Sequence, residues 1–323
     1  MNTRIVAALL VGVFSLAASL ATAQSEFPNR PIKLYVGFPP GGSTDVLARA
    51  LSHEARVSLG QELLVVNKAG ASGAIAVTEV AGQKADGYTI GLSPSAAFVL
   101  AFHFMKIRPD LLDVTEPLLM VGRQRLGMIV KGDSPHKTVK DLVEFAAKNP
   151  GKISIGVPGL GTSVDVFTRA LLQQAKVDAI VVPFKGDSGV STALLGGQVV
   201  AASMSAGGFL QHVQNGSMRL IASLETDRFE VAPSVPTLRE MGYGVAGTAI
   251  QFLYGPKGLS PAVAKRLIGA FTKASHAQSY VKIATNNGLY DKNQLVGDEL
   301  VAYLRKDRAD LSALVKKLGM EKQ

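Results

Sequence analysis

The sequence predicts an α/β protein of two lobes, the second inserted into a discontinuous first. Three observations predict it. Residues 34–66 and 153–182 each run strand, proline and glycine loop, helix, strand, which is the order of a right-handed βαβ unit. A long apolar stripe near the C-terminus, Leu300, Leu304, Leu311, Leu314, Val315 and Leu318, fits a helix that packs back on the first lobe. At 323 residues and 47% hydrophobic content, the chain is long enough for two cores.

Taken in order, residues 1–23 read as a secretory signal. Arg4 gives a basic start, Ile5 to Leu20 is apolar with small residues, and Ala21-Thr22-Ala23 is a cleavage signal before Gln24. The expected mature chain is exported, soluble and periplasmic, with no cysteine to carry a lipid anchor. Leu34 to Gly37 reads as a strand entering the loop Phe38-Pro39-Pro40-Gly41-Gly42-Ser43-Thr44-Asp45. Leu47, Ala50, Leu51 and Ala55 then recur at helical spacing up to Gly60, a C′ glycine. Leu63 to Val66 is a strand, Val77 and Val80 lie on a small-residue helix, and Thr89 to Leu92 is a strand ending in Ser93-Pro94-Ser95.

The middle repeats this plan. Thr138-x-x-Asp141 is a capping box for a helix ending at Asn149-Pro150-Gly151. Strand Ile153 to Val157 leads into Pro158-Gly159-Leu160-Gly161-Thr162-Ser163, a helix through Gln174 and strand Ala179 to Val182. Further strands are expected at Val199 to Ser203, Arg219 to Ser223 and Ile250 to Tyr254, with Ser260-Pro261 opening a helix to about His276. The last helix starts near Asp298. Crossings near residues 124 and 246 divide the chain into lobe 1, residues 24–124 and 247–323, and lobe 2, residues 125–246.

Both glycine loops end at a helix N-terminus, where unpaired backbone N–H groups and the positive end of the dipole hold an anion without a catalytic side chain. Two such ends facing one cleft suit a small carboxylate. Ser43, standing where a P-loop requires lysine, argues against a nucleotide site. Gly186-Asp187-Ser188-Gly189 matches the tetrapeptide around a trypsin-like nucleophile, but none of the five histidines sits in a triad motif, and the tetrapeptide reads as a polar turn from which Lys185, Gly186 and Asp187 can still face the cleft. Asp165 has two readings: a helix cap as Thr162-x-x-Asp165, or, turned into the cleft, a partner for a ligand amine.

Formal charge is +9, and +8 once Arg4 leaves with the signal. The Lys and Arg residues are scattered, so no nucleic-acid partner is expected. No metal-ligand spacing occurs, and no cofactor is expected.

The segment Phe27-Pro28-Asn29-Arg30-Pro31-Ile32, followed by Phe38 to Asp45 and Ala48-Arg49, resembles the opening of the Bug family, the extracytoplasmic receptors of tripartite tricarboxylate transporters. Asn67-Lys68-Ala69-Gly70-Ala71-Ser72-Gly73, Asp86-Gly87-Tyr88-Thr89, Val182-Pro183-Phe184-Lys185-Gly186, Leu194-Leu195-Gly196-Gly197-Gln198-Val199 and Val235-Pro236-Thr237-Leu238-Arg239-Glu240-Met241-Gly242 follow in family order. The resemblance implies a type II, Venus-flytrap periplasmic binding protein. Such a protein closes on a small organic acid and delivers it to membrane transporter subunits. It further implies that Phe38, Pro40, Gly41, Ser43, Thr44 and Asp45 of the first loop, and Gly161, Thr162 and Ser163 of the second, contact ligand, with Ser93, Ser95, Lys185 and Gly186 as walls; Asp165 joins the candidates through its own carboxylate and not through the family. The chain departs from the family at Asp165-Val166, where His-Leu is usual, at Ala193 and Val200, where Asp is frequent, and near Ile250, where a Trp is missing. No enzymatic activity is expected, and a monomer suffices. The rival readings are an exported serine hydrolase using Ser163 or Ser188 and an orphan sensor for a membrane signalling partner.

Overall fold

The computed structural model describes residues 27–320; the signal peptide expected at residues 1–23 lies outside them. Two five-stranded sheets organise the chain. The first contains β1 (Ile32–Val36), β2 (Leu63–Asn67), β3 (Thr89–Pro94), β4 (Thr115–Gln124) and β10 (Ala249–Pro256), in the order β2-β1-β3-β10-β4. The second contains β5 (Leu126–Lys131), β6 (Ser154–Val157), β7 (Ile180–Pro183), β8 (Ala201–Ser205) and β9 (Met218–Ser223), in the order β7-β6-β8-β5-β9. In each sheet three strands are parallel, and the fourth in spatial order runs antiparallel to its neighbours. The chain leaves the first sheet after Gln124, joins the second at Leu126, and returns between Ser223 and Ala249.

Helix α1 (Ser43–Leu59) follows β1 and shows how sequence makes an element here. Leu47, Ala48, Leu51 and Ala55 form one fully buried stripe, in which each leucine removed from water contributes roughly 1.5–3 kcal/mol and each alanine less. Gly60 ends the helix at φ 67°, a left-handed conformation that costs a residue without Cβ little, and its N–H bonds to the Arg56 carbonyl at 2.8 Å. Replacing Leu51 by Ala would cost about 2–5 kcal/mol and loosen α1 from its sheet. Its counterpart in the second sheet, α7 (Ser163–Ala175), buries Val164, Val166, Phe167, Ala170 and Leu171. The C-terminal helix α12 (Asp298–Lys317) packs against β4 and the short helix α3 (Ala96–Val99), and Arg308 donates to the Phe98 carbonyl at 2.8 Å.

Three features differ from the sequence expectation. Residues 115–131 form two long strands that the sequence pattern left unassigned. Both are buried on both faces, so neither alternates polar and apolar residues, and no Gly or Pro marks the step between them at Arg125. The tetrapeptide at Gly186, expected to be a polar turn, instead opens helix α8 (Gly186–Leu195). Val190, Ala193 and Leu194 are buried at helical spacing and carry it. Strand β8 also begins at Ala201, two residues later than expected. The helix between β2 and β3 is α2 (Ala74–Ala81); α4 (Ala101–Phe104), α5 (Leu111–Val114), α6 (Val139–Lys148), α9 (Ala206–Gln214), α10 (Pro261–His276) and α11 (Gln278–Asn286) complete the helices.

Candidate functional site

The two glycine loops are held by one device. In the first, the Asp45 carboxylate turns back to accept the Gly41 N–H at 2.9 Å and the Arg49 Nε at 2.9 Å. Asn67, at the end of β2, donates to the other Asp45 oxygen at 2.9 Å and to the Phe38 carbonyl at 3.0 Å. In the second loop, Asp165 accepts the Gly161 N–H at 2.8 Å and the Arg169 Nε at 2.8 Å. Gly41 and Gly161 adopt φ 81° and 74°, so each loop can curl onto its own aspartate.

Burial works to raise the Asp45 pKa, but Arg49, the Gly41 N–H and Asn67 outweigh it and hold the carboxyl below its ordinary 3.8. Asp165 is fully enclosed, and there burial prevails over Gly161 and Arg169 and pushes the carboxyl above that value. Both aspartates therefore shape the loops from behind. Of the two readings of Asp165, the structure shows the capping one: its N–H bonds to the Thr162 hydroxyl, its carboxylate turns back onto Gly161 and Arg169, and it is not among the residues that line the cavity.

In front of the loops the N-termini of α1 and α7 meet across a cavity of about 30 Å³. Phe38, Gly42, Ser43 and Thr44 line it from the first loop, and Pro158, Thr162, Ser163 and Val164 from the second. Pro94 and Ala96 close one side, and Gln124 and Leu126 bring the crossover between the sheets to another. The α1 N-cap is Gly42, which has no side chain with which to satisfy the first-turn N–H groups. At α7 the Thr162 hydroxyl accepts the Asp165 N–H at 3.3 Å. Thr44 accepts from Gln251 Nε2 at 2.8 Å, which leaves the Thr44 proton free to donate elsewhere.

The two halves touch directly. Ser43 of α1 donates to the Asp187 carboxylate of α8 at 2.7 Å and also contacts the Ser205 hydroxyl at the end of β8. Ser72 donates to the Leu160 carbonyl at 2.5 Å. Asp187 takes two further bonds from Ser205, from the hydroxyl at 2.5 Å and the N–H at 3.2 Å.

Of the residues expected at the site, Phe38, Ser43, Thr44, Thr162 and Ser163 line the cavity. Lys185 and Gly186 instead border a neighbouring depression with Phe38, Pro39, Ser72 and Gly159. Pro40 and Gly41 sit exposed on the outer side of the first loop, and Gly161 is buried against Phe104. Ser93 is buried with its hydroxyl on the Pro94 carbonyl, and Ser95 is buried at the start of α3, outside the lining. Ser205, Gln124 and Gln251 were not among the expected residues. Asp187, placed by the sequence in a polar turn open to the cleft, does line the cavity but from a helix. None of the five histidines lines the cavity; His103, His212 and His276 bond to Ser312, Ser217 and Thr272.

The second buried charge cluster lies where the chain crosses between the sheets. Glu225, fully enclosed just after β9, faces Arg123 at 2.7 Å and Arg125 at 3.5 Å. Burial pushes its carboxyl up to about 7, although both arginines pull the other way.

The family model for the tripartite tricarboxylate transporter family receptor, TctC, matches residues 47–320. A UPF0065 protein encoded in the gbd 5′ region of Cupriavidus necator is 32% identical over 319 residues, 98% of this chain and 96% of that protein. BugT of Bordetella pertussis is 32% identical over 291 residues, 88% and 89% of the two chains. Among solved structures, the periplasmic binding protein BugD superposes with a TM-score of 0.82 at 27% identity, over 92% of this chain and 100% of that one. MatC of Rhodopseudomonas palustris, solved with bound malate, has a TM-score of 0.82 at 24% identity over 90% and 100%, a likeness of fold alone. The two-lobe α/β architecture and the Bug resemblance read from the motifs are both borne out by these matches. The family model describes a transporter receptor and BugD is a periplasmic binding protein, neither of which is a class of enzymes. The chain belongs to the TctC family of tripartite tricarboxylate transporter receptors.

Proposed function

We propose that this receptor is exported, captures a small organic acid between lobe 1 (24–124 and 247–323) and lobe 2 (125–246), and delivers it to the membrane subunits of a tripartite transporter. One observation carries the proposal: the N-termini of two helices from different sheets, α1 and α7, line the same cavity with Ser43, Thr44, Thr162 and Ser163. Backbone N–H groups and hydroxyls at helix N-termini favour an oxyanion, and they need no basic side chain to do so. A ligand that touches both loops stabilises the closed form over the open one, so capture and closure are one equilibrium. The closed surface is then what a transporter subunit would recognise.

A thermal-shift screen of residues 24–323 against mono-, di- and tricarboxylates, aromatic acids and amino acids tests this. A ligand specific for the native state adds about 2.7 kcal/mol at a hundredfold excess over Kd, a readily measured rise in Tm. A concentration-dependent rise with at least one acid, with the acid recovered unchanged, is expected. No rise with any of them would contradict the carboxylate site.

A further inference from the structure

Among the described residues, Asp187 is the one charged side chain lining the cavity, and it is 7% exposed. The other two aspartates near the loops each have an arginine, Arg49 and Arg169. Among the described residues no Lys, Arg or His pairs with Asp187; its partners are the neutral Ser43 and Ser205. An anion enclosed this way favours a cation brought by the ligand and opposes a second anion.

Its geometry leaves room for that cation. A carboxylate offers about four acceptor positions. On Asp187, Oδ2 receives the Ser43 and Ser205 hydroxyls, while Oδ1 receives only the Ser205 N–H, and weakly, at 3.2 Å. The Ser43 hydroxyl reaches Asp187 from the opposite lobe, so a ligand donor entering between the lobes meets the same carboxylate. The helix N-termini that favour an oxyanion lie across the same cavity.

Resting on the carboxylate-receptor reading above, we propose that Asp187 makes this receptor selective for a small amine-bearing monocarboxylic acid, its ammonium on Asp187 and its carboxylate at the α1 and α7 N-termini. A dicarboxylate of similar length would set its second carboxylate against Asp187. A hydroxy acid would supply a hydrogen bond but leave the buried charge uncompensated.

Calorimetric titration with four acids of one size tests this: L-2-aminobutyrate, 2-hydroxybutyrate, butyrate and succinate, with homologous three- to six-carbon sets run alongside. In each set the amine-bearing monocarboxylate is expected to bind at least tenfold tighter than its unsubstituted and dicarboxylate counterparts. Asp187→Asn should weaken the amine-bearing acid at least tenfold and change the unsubstituted acid less than threefold. Asp187→Glu, which keeps the charge, should retain the preference. Wild-type preference for succinate or butyrate, or an equal loss for every acid in Asp187→Asn, would overturn the inference while leaving a carboxylate receptor in place. Failure of every acid to bind the folded wild type would overturn both.

Discussion

Asp45 and Asp165 occupy equivalent positions in two separate βαβ units, each bonded to the glycine four residues before it and the arginine four residues after it. The spacing Gly-x-x-x-Asp-x-x-x-Arg thus builds the same loop twice, once at each wall of the cavity. The carboxylate fixes the loop from behind, so the N–H groups and hydroxyls in front keep their directions without a ligand.

The two aspartates should nevertheless respond oppositely to pH. The Asp45 pKa is depressed on folding, so its contribution is present above the ordinary value of 3.8 and is lost as pH falls through the folded value. The Asp165 pKa is raised, so its contribution is present below 3.8 and is lost as pH rises through the folded value. Urea unfolding of Asp45→Asn, Asp165→Asn and wild type from pH 3 to 7 measures this. The stability gap between wild type and Asp45→Asn should widen as pH rises, and the gap to Asp165→Asn should narrow. Gaps that move together would refute the assignment.

Glu225 sets a second pH dependence, in a higher window. With its carboxyl raised from 4.5 to about 7, its contribution is fully present below pH 4.5 and is lost as pH rises through about 7. Asp307, raised to about 7 by burial, acts in the same direction. Relative to Glu225→Gln, wild type should lose up to about 3 kcal/mol between pH 4.5 and 8, read from unfolding midpoints. A constant difference across that range would show that the two arginines keep Glu225 charged throughout.

Closure depends on a glycine. A Cβ on Gly207, in the first turn of α9, would come within 2.5 Å of Ser43 Oγ and 3.2 Å of Ser43 Cα on the facing lobe. The Ser43 hydroxyl must rotate away, and the contact with its backbone requires a shift of a few tenths of an ångström. Gly207→Ala should therefore break the Ser43 bond to Asp187 and lower ligand affinity. Unfolding stability should change by less than about 1 kcal/mol, since neither sheet is disturbed. Full affinity in this variant would mean that the lobes meet differently when ligand is bound.

Much of this was legible in the sequence because local chemistry and global fold agree. The glycine loops, the Thr138 capping box, the Ser260-Pro261 start and the αL Gly60 each announce an element with a few neighbouring residues. Strands β4 and β5 were not legible, because strands buried on both faces lose the alternation that marks a strand. At the site, the loops were readable but the side chains that meet between them were not. Asp187 and Ser205 come from α8 and the end of β8, and reach Ser43 through a packing of lobes that no short sequence pattern encodes. Asp45 and Asp165 were readable as important polar residues of the loops, but their direction depended on Arg49 and Arg169, one helical turn away.

The most direct test of capture between two helix N-termini is calorimetric titration of residues 24–323 with the acid that stabilises it most, comparing wild type, Thr44→Val and Ser163→Ala. Thr44 and Ser163 line the cavity from different lobes, and because Thr44 also accepts from Gln251 Nε2 the fold of each variant is checked by its unfolding midpoint. Each variant should stay folded and bind at least fivefold more weakly, since a bridging ligand loses a donor on either side. Wild-type affinity in both folded variants would contradict the account and move the ligand away from the α1 and α7 N-termini.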